Sequence, residues 1–135
     1  MNTPSLKFID VADFPIAIIH SSQMQLGDGQ KIIDDLETLI AYGEKFVLII
    51  EDGDPRHTRN TPELHEEDKA RMQWLKANNA RLNEVCPAIF SPTADPAIRE
   101  QKMKQVAALS TALGVNFQVV ENVDEVKTKL ADVLK

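Results

Sequence analysis

Phe46-Val47-Leu48-Ile49-Ile50 is an unbroken run of five apolar residues, rich in β-branched and aromatic side chains, set between Lys45 and Glu51. A strand with one wet face alternates apolar and polar residues; this one does not, so both of its faces must be covered. A five-residue run is also too short for a buried helix. The run therefore reads as the central strand of a sheet layered with helices, and its flanks supply the helices. Upstream, Ile32, Ile33, Leu36, Leu39 and Ile40 recur at helical spacing and form one face, while Lys31, Asp34, Asp35 and Glu37 fall largely on the other. Asp28 after Gly27 is placed to cap that helix, and Gly43 to stop it.

Further out, the same alternation continues. Thr61-Pro62 offers a capping hydroxyl followed by proline at a first helical position. The helix it opens carries a thin stripe, Leu64, Met72, Leu75, Leu82 and Cys86, interrupted by Asp68 and Asn79, so it is expected to be half covered. Pro87–Ser91 reads as a short strand, and Asp95-Pro96 as a second helix entrance, with Met103, Val106, Ala107 and Leu113 along the helix and Gly114 at its end. Val115–Val120 is a last strand, and Asn122 with Glu125 forms a reciprocal cap for a final helix bearing Val123, Val126, Leu130, Val133 and Leu134. Toward the N-terminus, Ile16–Ser21 follows Pro15 as an interior strand, and Leu6–Val11 is expected to pair antiparallel at an edge. Strands alternating with helices imply right-handed crossovers and a mostly parallel sheet. The expectation is one α/β domain over 1–135: a mixed, mostly parallel sheet of four or five strands with four helices, and Ile18 and Phe46–Ile50 among its most buried residues.

This order of elements resembles the SpoIIAA-like branch of the STAS domains, the family of anti-sigma-factor antagonists and related modules. The C-terminal two-thirds carries the resemblance. It runs from FVLII (46–50) through a polar loop to a helix with Trp74-Leu75-Lys76, then PAIF (87–90), a helix, NFQVV (116–120) and the closing VDEVK (123–127). The resemblance implies a non-catalytic regulatory or binding module for a protein partner or a small apolar ligand. The family's phosphorylated serine sits where the loop after the central strand enters the next helix. Here no serine lies between Ser22 and Ser91, and the hydroxyls on offer are Thr58 and Thr61. The phosphorylation switch is not carried over.

Composition narrows the function classes. A formal net charge of −6, with basic and acidic residues interleaved, argues against nucleic acid as a partner. No apolar run is long enough to span a bilayer. The first residues lack the basic-then-apolar pattern of a secretion signal and there is one cysteine, so the expected location is cytoplasmic. A homo-oligomer is left open.

The densest chemistry is EDGDPRHTRNTPELHEED (51–68), at the C-terminal end of the central strand, where α/β sheets tend to place ligands. Arg56, His57, Arg59 and Thr61 are the candidate ligand or partner contacts: cations in an acidic chain, next to a helix start. The plainer reading is a solvated connection. A small metal- or anion-binding enzyme using this region is the alternative, but His65 has Lys69 four residues on where a zinc helix would carry its second histidine. No metal site and no cofactor are expected. No nucleophile–base pair or glycine-rich phosphate loop is present, so no catalytic residue is assigned. Cys86 reads as a small buried hydrophobe and His20 as a core or edge histidine without charged neighbours in sequence. Trp74 either edges the core or stands beside an apolar groove with Met72 and Met24.

Overall fold

A computed structural model of the chain describes residues 6–20, 27–51 and 62–134, with side chains except those of residues 62–65 and 68. Eight elements follow in order: β1 (Ile16–His20), α1 (Asp28–Tyr42), β2 (Val47–Glu51), α2 (Pro62–Val85), β3 (Ile89–Pro92), α3 (Pro96–Leu113), β4 (Phe117–Val120) and α4 (Val123–Val133). The strands form one sheet in the order β1-β2-β3-β4, and every neighbouring pair is parallel. The α/β class, the four strands and the four helices are those expected. The run Leu6–Val11 differs: it contributes a single antiparallel bridge, Asp10 to Ile18, rather than a strand.

Strands laid down in sequence order, each joined by a right-handed crossover, put α1, α2 and α3 on one face. The helix after the last strand makes no crossover, and α4 takes the other. The alternation along each strand shows this division. Ala17, Ile19, Leu48 and Ile89 pack with Leu36, Leu39, Leu82 and Leu113 on the three-helix side. Ile16, Val47, Ile49 and Phe90 pack with Val126 on the side of α4. The apolar run Val47–Ile50 is therefore explained by coverage on both faces, and Phe46 through Ile49 are almost fully buried. Ile18 is only half buried, because α4 contacts β2 and β4 and leaves β1 less covered on that side.

Local chemistry sets the ends of the elements. Gly43 and Gly114 end α1 and α3 in the left-handed region, at φ 82° and 72°. Asp95 Oδ1 accepts from the Ala97 amide to open α3, and Asn122 Oδ1 accepts from the Glu125 amide to open α4. Glu125 reaches back one residue further than a standard capping box, to the Glu121 amide. At α1 the N-cap is Gly27, left-handed at φ 97°, not Asp28. Asp28 lies in the first turn and pairs with Lys31 at 3.1 Å. Along α3, Met103 and Ala107 point to solvent, while Leu109 and Leu113 pack on the core.

Asp35 departs most from its expected place on the polar face of α1. It is 2% exposed, and its carboxylate accepts the backbone amides of Lys7 (2.8 Å), Phe8 (2.7 Å) and Ile9 (2.9 Å). Three converging donors satisfy a charge that burial would otherwise penalise. They also explain why residues 7–9 lie against the domain without forming a strand: their amides are spent on a side chain, and only Asp10 pairs with the neighbouring ladder.

Candidate functional site

Among the described residues two places gather functional chemistry: the C-terminal edge of the sheet and the space between α1 and α2. At the sheet edge, the parallel register sets His20 of β1 beside Glu51 of β2. The antiparallel bridge brings Asp10 to the same place. His20 Nε2 is 3.3 Å from Asp10 Oδ2, and Nδ1 is 3.4 Å from Glu51 Oε2. The histidine expected to lack charged neighbours thus has one carboxylate at each ring nitrogen. A neutral imidazole can donate to only one of them, a doubly protonated ring to both. The Asp10 carboxyl is held below its ordinary range by the Ala12 amide and by His20. Because the two ring nitrogens face opposite ways, the three side chains do not enclose an ion, and no group of metal-holding residues is found among the described residues.

The second place is an apolar cleft. Its floor is the three-helix side of the sheet, including Ile19, Leu48 and Ile89. One wall is α1, with Ile33 and Leu36, and the other is α2, with Arg71, Trp74 and Leu75. Its cavity volume is about 50 Å³, room for several waters or a short aliphatic segment. A cavity with so few polar partners favours an apolar occupant over water.

Close packing and hydrogen bonds at both ends hold the walls together. Gly29 of α1 faces Arg71 and Glu67 so closely that an added Cβ would lie 3.1 Å from Arg71 Nη1 and 3.2 Å from Glu67 Cβ. Glu67 Oε1 accepts the Gly27 amide at 2.6 Å. Toward the other end, Glu37 of α1 accepts from Trp74 Nε1 at 3.1 Å and from Arg81 Nη2 at 2.7 Å and Nη1 at 3.3 Å. Arg81, and with it Trp74, holds the Glu37 carboxyl below the ordinary glutamate range.

Of the candidate contact residues, Trp74 lies among the described residues, where it both packs against the core and lines the cleft. Met72, its expected companion, is 40% exposed. Arg56, His57, Arg59 and Thr61 lie outside the described residues, as does Met24. Cys86 is buried at the end of α2, with its thiol pushed up to about 12 by burial, which makes it a packing residue and a poor nucleophile. The roles of Glu37 and Asp35, and the pairing of Asp10 with His20, are not legible in sequence because each acts through a residue 10 or more positions away. For His20 and Glu51 a signal existed: both close an apolar strand run, and parallel neighbours end side by side.

No helix among the described residues is long and apolar enough to cross a membrane. The chain matches no family model, no curated protein and no solved structure.

Proposed function

We infer that this protein is a non-catalytic binding module that takes a small apolar group into the cleft between α1 and α2. The apolar cleft beside Trp74 carries the reading. It is concave, nearly free of polar lining and floored by the sheet, which suits a small-molecule site. Arg56, His57, Arg59 and Thr61 keep their proposed part as polar contacts for a ligand's head group or a partner, since segment 52–61 joins β2 to the helix that forms one cleft wall. The resemblance to SpoIIAA-like modules points the same way, toward regulation by binding rather than turnover.

Trp74 is the only tryptophan in the chain, so it reports on its own site. Titration with 1-hexanol and 1-octanol, followed by tryptophan emission and by calorimetry, is expected to show saturable binding at one site. Ile33→Phe, which fills the cleft from the α1 wall, is expected to weaken it by about tenfold. Calorimetry showing no saturable binding of either alcohol to the native protein would sink the reading.

A further inference from the structure

Helix α2 is two helical pieces meeting at Asn78, whose backbone (φ −120°, ψ 15°) is not helical. The break has a local cause. The Asn78 side-chain amide donates to the Trp74 carbonyl at 2.9 Å, the acceptor that the residue's own backbone amide would take in a regular helix. Arg81 Nη1 then donates to Asn78 Oδ1 at 2.9 Å and keeps the amide turned that way.

The two pieces are held very differently. Beyond the break, Leu82 is 1% and Val85 8% exposed, and Asn79 and Asn83 donate to the carbonyls of Leu113 and Gly114. Before it, none of the described side chains of residues 66–77 is fully buried, and Arg71, Trp74 and Leu75 are only half covered. This loosely held piece forms the α2 wall of the cleft. Its hydrogen bonds to α1 include Glu67 to the Gly27 amide and Trp74 to Glu37, beside the partial apolar packing of Trp74 and Leu75. Glu37 spans the break, since it also grips Arg81 on the anchored side.

We propose that residues 66–77 of α2 are a hinged lid over the cleft, turning at Asn78 and latched shut by Glu37. Segments with little buried apolar surface open at a lower free energy than the core they rest on. The break lets the lid do so without unwinding the part of α2 that is packed in the core. The lid rests on the reading that the cleft admits an apolar ligand, and it supplies that ligand's entry route.

The chain carries one reporter on each piece: Trp74 on the lid, and Cys86 just after the anchored end, each the only residue of its type. No ligand is needed, so the outcome is separate from the binding test. In Glu37→Ala, acrylamide quenching of Trp74 is expected to rise by about twofold while the labelling rate of the Cys86 thiol stays unchanged. Glu37→Gln keeps an acceptor for the indole and should fall between the two. In the unmodified protein, the amides of residues 66–77 should exchange with deuterium at least about tenfold faster than those of residues 80–86. Quenching and thiol labelling rising together would mean general loosening, and neither rising would mean no latch; uniform exchange along α2 would mean no hinge. Each of these results would overturn the proposal.

Discussion

Asp35 shows how one side chain can set the path of a segment that its own periodicity does not explain. Three backbone amides of residues 7–9 point at a single buried carboxylate, each a charge-assisted bond stronger than its neutral counterpart. Removing the carboxylate leaves three donors facing an apolar interior unless the segment lifts away into water. Asp35→Ala is therefore expected to cost about 2–4 kcal/mol, limited by that escape, and to expose residues 6–10 to proteolysis. Urea unfolding together with limited digestion checks both halves, and an unchanged midpoint would refute the role assigned to Asp35.

Among the elements, α4 and α2 carry the clearest consequences. The cap of α4 is Asn122, and this helix is the cover over Val47, Ile49 and Phe90 on its side of the sheet. Asn122→Ala should cost about 1 kcal/mol, read as a lower denaturation midpoint with an unchanged slope. For α2 the test is acid. The Glu37 carboxyl titrates below the ordinary glutamate range in the folded protein because Arg81 and Trp74 bond its ionised form. A depressed folded value means that the latch is fully present above the unfolded value and is lost as pH falls through the folded one. From neutral pH down to the usual glutamate range, quenching of Trp74 should stay flat; it should rise only below that range. A rise beginning near neutrality would assign the change to another group.

At the scale of the whole molecule, the sheet divides two unequal layers, three helices on one side and α4 on the other. Leu48 faces the larger layer at 2% exposure and forms part of the cleft floor. Leu48→Ala is expected to cost about 2–3 kcal/mol, the low end for a buried leucine, because one side of it already borders a void. The same substitution enlarges the cleft, so longer alcohols should bind better relative to shorter ones. A loss of stability below about 1 kcal/mol would place Leu48 outside the core.

The sequence by itself determined what depends on neighbours along the chain. Phe46–Ile50 declared a doubly covered strand, and Ile32, Leu36 and Leu39 declared a helix face. Gly43, Asp95, Gly114 and Asn122 marked ends whose capping bonds span four residues or fewer. The tertiary structure alone decided what depends on which elements meet. Asp35 occupies a position that reads as polar surface until residues 7–9 fold over it. His20 acquires two carboxylates only when β1 pairs with β2 and the chain reverses before Pro15. Trp74 becomes a cleft wall because Asn78 bends α2 and Glu37 reaches across from α1. Periodicity records which side of an element is apolar, whereas a hydrogen bond between residues 28 or 37 positions apart leaves no trace in either local pattern.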